Sequence, residues 1–206
     1  LSRLWLGQIG TYVLTWTSLK PLLRQMSPDS FRSLLAFPHG LWRWVLSGFM
    51  ASVALGFVVA PLGRGQVAPG PLLPELSCAA QLAGKGDTWA VASLILLVGL
   101  LAPAFEELFF RGFLLLAFSK SNPIFWSSFL FGLFHCHPQQ LQPFRPLVPS
   151  AAMGALFALM LQRTGSLPVA IFLHQLWNGL HLFFVACLAS WHFSERTIEK
   201  AAICYV

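Results

Sequence analysis

From Thr88 to Phe118 the chain is almost wholly apolar except for one cluster, Glu106-Glu107-Leu108-Phe109-Phe110-Arg111. As one helix this stretch would be about 46 Å long at 1.5 Å per residue. A bilayer hydrocarbon core is about 30 Å thick, so such a helix must tilt, protrude, or kink at Pro103. The charges constrain the fold further. Each ionisable side chain at mid-bilayer disfavours insertion by about 2.5–3.5 kcal/mol on translocon scales. Three of them within six residues must therefore face protein or water, and by default they mark a functional site.

The rest of the chain agrees with a membrane setting. Of its 206 residues, 56% are hydrophobic and 10% charged, against about 25% charged in soluble domains. Apolar runs recur along the full length, which predicts an all-α, polytopic transmembrane helix bundle of about five to six spans. The net charge of +6 does not point to nucleic acid. The basic residues are scattered singly at the edges of apolar runs, as in membrane proteins, and form no patch. Cys78, Cys136, Cys187 and Cys204 show no CxxC spacing and read as small apolar or free thiols.

Along the chain, residues 4–19 read as a first span or an interfacial helix. Residues 20–43 carry Lys20, Arg24, Arg32 and Arg43 against Asp29, which places this loop in the cytoplasm, with Trp42 and Trp44 at the interface. Residues 44–62 form a span. Residues 63–88, with Pro69, Pro71 and Pro74, read as an extracytoplasmic loop without structure of its own. The long helix 88–118 ends at the turn 119–122. Asn122 followed by Pro123 predicts an N-cap and first helical residue for a helix over 123–137 that stops at Pro138. Spans over 148–162 and 166–189 follow, with Gly154 and Ala158 as a small-residue packing face. This divides the chain into an N-terminal membrane region (1–87), a core (88–190) and an amphipathic or loose tail (191–206).

Polar groups recur inside three spans: the Glu106 cluster, His135 at the end of Phe131-Gly132-Leu133-Phe134-His135, and His174 with Asn178. Glu107 and Arg111 are four residues apart on one helix face and can pair, leaving Glu106 free to act. Counting helical rise, Glu106 and His135 each lie about 18 Å from the turn 119–122. From Leu167, His174 is about 10 Å deep and Asn178 about 16 Å deep. Four polar groups from three helices thus reach comparable depth. His181 continues the stripe of His174 as a supporting or structural group.

Two chemistries suit a carboxylate and two imidazoles at one buried spot. Glu106 and His135 can polarise a water for attack on a carbonyl while His174 and Asn178 donate to the oxyanion. Alternatively, Glu106, His135 and His174 can hold Zn²⁺ with water in the fourth position. The His-Glu-x-x-His pattern of many zinc proteases is absent.

At these residues the chain resembles the CAAX protease and bacteriocin-processing family, also called CPBP or ABI. The family's three motifs are Glu-Glu-x-x-x-Arg, Phe-x-x-x-His and His-x-x-x-Asn. They read here as Glu106-Glu107-Leu-Phe-Phe-Arg111, Phe131-Gly-Leu-Phe-His135 and His174-Gln-Leu-Trp-Asn178. The lead-in Thr164-Gly165-Ser166-Leu167-Pro168 is similar to the family's entry to its third motif. The resemblance implies a multi-pass membrane endopeptidase with a four-helix catalytic core, acting on a membrane-associated peptide or protein, prenylated tails included. Glu106 would be the base, His135 its partner on the water, and His174 with Asn178 would complete the site, supported by Glu107 and Arg111. Two other functions are weighed against it: a non-catalytic immunity or scaffold protein of the same fold, and a small transporter or haem-binding membrane protein using the two histidines.

Overall fold

The computed structural model describes residues 10, 12–13, 15–17, 20–21, 28–63, 74–136, 144 and 146–191. The tail 192–206, most of the stretch 4–19 and most of the loop after Cys136 lie outside the described residues. Those that are described form an all-helical bundle: α1 Pro28–Leu35, α2 Leu41–Gly63, α3 Pro74–Gly84, α4 Thr88–Ala117, α5 Pro123–Phe134, α6 Leu147–Thr164 and α7 Leu167–Ser190. Among them, α2 (over Leu41–Val59), α4, α6 and α7 are long and apolar enough to cross a membrane, and α5 is a shorter apolar helix. Only 28–39% of each spanning window is buried inside the protein. The remainder, including Phe57, Val58, Leu96, Phe183 and Phe184, is outward apolar surface. Lipid, not water, is the environment such a surface suits.

Local chemistry sets the helix ends. The Asp87 carboxylate accepts from the Ala90 N–H at 3.0 Å and opens α4. The Asn122 side chain accepts from the Phe125 N–H at 3.2 Å, with Pro123 in the first turn, as the sequence predicts. Gly165, at φ +65°, closes α6 in the left-handed conformation, and its N–H donates to Leu161 O at 2.7 Å. The next residue, Ser166, donates its hydroxyl to Ala36 O at 2.7 Å and ties the α6–α7 turn to the segment after α1.

Three elements differ from the sequence reading. Within residues 20–43, read as a loop, α1 forms over Pro28–Leu35 with Asp29 in its first turn and Arg32 in its last. Residues 63–88 are not simply a loop, because α3 forms within them. Its run Leu76-Ser77-Cys78-Ala79-Ala80 is small and apolar, and Leu76 and Ala79 are buried against Leu94, Leu97, Leu182 and Val185 of α4 and α7. The surrounding prolines and glycines disguise a helix that needs this tertiary cover. In α4, moreover, the winding is not uniform. Ile95–Leu101 and Leu108–Leu114 are π-helical, and the six α-helical residues Ala102–Glu107 lie between them. The Ala102 N–H reaches back five residues to Leu97 O, and that of Leu115 to Phe110 O. Wide turns of this kind inside α-helices occur often at functional sites.

At the centre, α7 packs against α1, α2, α3, α4 and α6. The half of α4 beyond Glu107 packs with α5, α6 and α7 around Phe110, Phe131, Met153, Phe157, Leu173 and Trp177. Helices α5 and α6 approach closely at Gly132 of α5. A Cβ there would overlap the Leu147 carbonyl oxygen and stand 2.9 Å from Ala151 Cβ and 3.0 Å from Ala151 N. Backbone cannot yield as a side-chain tip can. Gly132→Ala should therefore destabilise the protein by about 1–3 kcal/mol, read as a lowered melting temperature in detergent; an unchanged one would mean that α5 and α6 can separate freely.

Candidate active site

Glu106 and Glu107 sit at the end of the α-turn that the two π-helical segments enclose. Adjacent on the helix, they point to different partners. Glu107 is fully buried, and its Oε1 takes two donors: Arg111 Nη1 at 3.0 Å and the Nδ1–H of His174 at 2.9 Å. A carboxylate oxygen only accepts, so this contact fixes the proton on Nδ1 of His174. His174 Nε2 then faces Glu106 Oε2 at 3.9 Å.

On the other side, His135 caps the end of α5 and donates its Nδ1–H to Phe131 O at 2.8 Å. The same reasoning leaves its Nε2 as the free ring atom, 4.0 Å from Glu106 Oε2. Two imidazoles of fixed orientation thus aim at one carboxylate oxygen. That oxygen is buried and makes no hydrogen bond among the described residues. Polar groups separated by more than about 3.5 Å are commonly joined through a water.

Arg111 is held through its two terminal nitrogens, while its buried Nε makes no hydrogen bond among the described residues. Besides Glu107, it donates from Nη2 to Gly154 O at 2.7 Å, and its guanidinium carbon lies 4.4 Å from the Phe131 ring centre, with Phe157 and Phe110 at 5.5 and 5.7 Å. Aromatic faces attract such a cation. Gly154 makes room for it: a Cβ there would stand 2.9 Å from Nη2 and 3.0 Å from Phe131 Cδ1. The sequence marks Gly154 only as a helix-packing residue; the small-residue pattern was the available signal, and its occupant, an arginine side chain, was not.

Of the four residues expected to converge, the structure brings Glu106, His135 and His174 together. Asn178 turns its amide to Val98 O, at 3.5 Å, one stretch earlier on α4. His181 donates its Nδ1–H to Trp177 O at 2.7 Å on its own helix. Glu107 and Arg111 pair as the spacing predicts. The link from Glu107 to His174 was not foreseen, because no pattern within either helix encodes it.

The donors can be tested against zinc. Bonds of about 2.0–2.2 Å in tetrahedral geometry set donor atoms roughly 3.3 Å apart. Here the two Nε2 atoms stand 3.9 and 4.0 Å from Glu106 Oε2, and no three His, Cys, Asp or Glu among the described residues are spaced for a metal ion. As they stand, the residues fit a bridging water and do not fit zinc.

Four helices long and apolar enough to cross a membrane thus enclose a buried carboxylate and two histidines directed at it. Residues 88–180, which carry all of these groups, match the family described as type II CAAX prenyl endopeptidase Rce1-like. This match agrees with the CAAX protease or CPBP family that the three motifs resemble. No curated protein and no solved structure matches the chain.

Proposed function

We propose that the protein is an intramembrane endopeptidase in which Glu106 is the base that activates water against a peptide carbonyl. The observation that carries this reading is the meeting of His135 Nε2 and His174 Nε2 on the buried, otherwise unbonded Glu106 Oε2. A water between Glu106 and His135 gives one proton to the carboxylate, and its other hydrogen bonds to His135 Nε2. Its oxygen bonds to the carbonyl carbon, and the carbonyl oxygen takes up the negative charge. His174, held with its Nδ1–H on Glu107, turns Nε2 toward that oxygen and, with a proton on Nε2, donates to it. The C–N bond then breaks, and the amine leaves with the proton held by Glu106. Asn178 is given no part in this step, because its amide faces Val98 O.

The family match favours a prenylated tail as substrate, that is, a peptide ending in a prenylated C-a-a-X sequence. The protein, reconstituted in phosphatidylcholine liposomes, should release the last three residues from a farnesylated peptide of this form, as read by product mass. The donor spacing further predicts that a zinc chelator leaves the rate unchanged. Absence of cleavage from farnesylated and unmodified peptides alike would overturn the protease reading.

A further inference from the structure

Three carbonyls in the first π-helical segment receive side-chain donors from other helices. Leu100 O accepts from Gln175 Nε2 at 2.8 Å, while Val98 O and Leu97 O lie 3.5 Å from Asn178 Nδ2 and the Tyr12 hydroxyl. Leu97 O already accepts from the Ala102 N–H, so its tyrosine contact is a second one; for the carbonyls that follow, the local chain removes a helical donor. Pro103 has no N–H, which at five-residue spacing would serve Val98 O and at four-residue spacing Gly99 O. The return from five- to four-residue spacing also passes over one carbonyl. On the far side of Glu106 and Glu107, Ser127 donates to Phe110 O at 2.7 Å inside the second π-helical segment. Both segments enclosing the site are therefore tied by a side chain to a neighbouring helix.

Such ties matter because a π-turn holds one extra residue and can slide along a helix. A slide of one residue past Glu106 would rotate its side chain by about 100° and carry it away from both histidines. The donor at Leu100 is the neighbour in sequence of His174. One turn of α7 thus holds α4 at two points: Gln175 on Leu100 O, and His174 on Glu107. We propose that Gln175 is a positioning residue which, through the Leu100 carbonyl, fixes the phase of α4 so that Glu106 faces His135 and His174. The catalytic part of this inference rests on the reading of Glu106 as the base.

The test replaces Gln175 by leucine, of similar size without a donor, and by asparagine, which keeps the donor on a shorter stem. Gln175→Leu should lower kcat on the farnesylated peptide by about tenfold or more, with KM within about twofold. Its melting temperature in detergent should not fall, since leucine suits the bilayer better than an amide. Amide hydrogen exchange over residues 102–108 should rise, and Gln175→Asn should fall between leucine and the parent in both readouts. If Gln175→Leu does not fold, Gln175→Met carries the same expectations. Parent-like kcat and exchange in the leucine variant, or equal effects of leucine and asparagine, would overturn the proposal. A Glu106→Gln variant run beside them separates the two readings. Full activity in that variant sinks the role of Glu106 while the exchange result still judges Gln175; an inactive Glu106→Gln beside a fully active Gln175→Leu sinks only the positioning role.

Discussion

Glu106→Gln is expected to lower kcat by about three orders of magnitude, within the range for loss of a general base, while KM and the melting temperature stay close to those of the parent. The amide matches the carboxylate in shape but cannot take a proton from water. A factor of about 10³ corresponds to roughly 4 kcal/mol of transition-state stabilisation. Stability should hold because Glu106 Oε2 makes no hydrogen bond among the described residues, so the substitution breaks no direct hydrogen bond there. His135→Ala should be milder, about 10–100-fold. The His135 side chain is 33% exposed, against 14% for Glu106 and 4% for His174, so a second water can take over its hydrogen bond. The order Glu106→Gln far below His135→Ala is the diagnostic result, measured as single-turnover cleavage of the farnesylated peptide. A Glu106→Gln variant retaining a tenth of the parent rate would remove Glu106 from the chemistry.

That the site could be read from sequence at all follows from membrane physics. In a bilayer the apolar background is so uniform that each ionisable group stands out, and the helical hairpin converts residue counts into depth. Equal counts from the turn 119–122 put Glu106 and His135 at one height, and the structure sets them 4.0 Å apart. The Asn122–Pro123 start of α5 was legible because its cap is local. What was not legible depends on partners distant in sequence. Nothing near Ile95 or Leu108, where the π-helical segments begin, announces a wide turn except Pro103. The side-chain donors that reach carbonyls of the first segment come from Tyr12, Asn178 and Gln175. The depth count measures height and not azimuth, so it could not read the contact that Asn178 makes with Val98 O. Helix α3 was hidden because its flanking prolines and glycines outweigh a short alanine-rich run that only α4 and α7 stabilise.

The second large effect concerns the buried ion pair. Arg111→Met should destabilise the protein by about 3–5 kcal/mol, because it leaves the Glu107 charge buried with one donor removed. The loss is sharpened by the aromatic rings of Phe131, Phe157 and Phe110, which face the guanidinium and would then face a thioether. Removing both charges is different. In Glu107→Leu combined with Arg111→Met, no unpaired ion remains, and replacing a buried pair by apolar groups of similar volume is often neutral or stabilising. The double variant should therefore recover most of the melting temperature lost by Arg111→Met alone. Activity should not recover with it. His174 would lose the acceptor that holds its Nδ1 proton at 2.9 Å, and with it the orientation of Nε2 toward Glu106. Loss of an imidazole-orienting carboxylate lowers turnover by up to about 10⁴-fold in serine proteases; a fall of about 10²–10³-fold is expected here. Melting in detergent and peptide cleavage, measured on the same three preparations, separate the two roles. If the double variant regains rate along with stability, Glu107 serves only the fold and His174 needs no carboxylate to direct it.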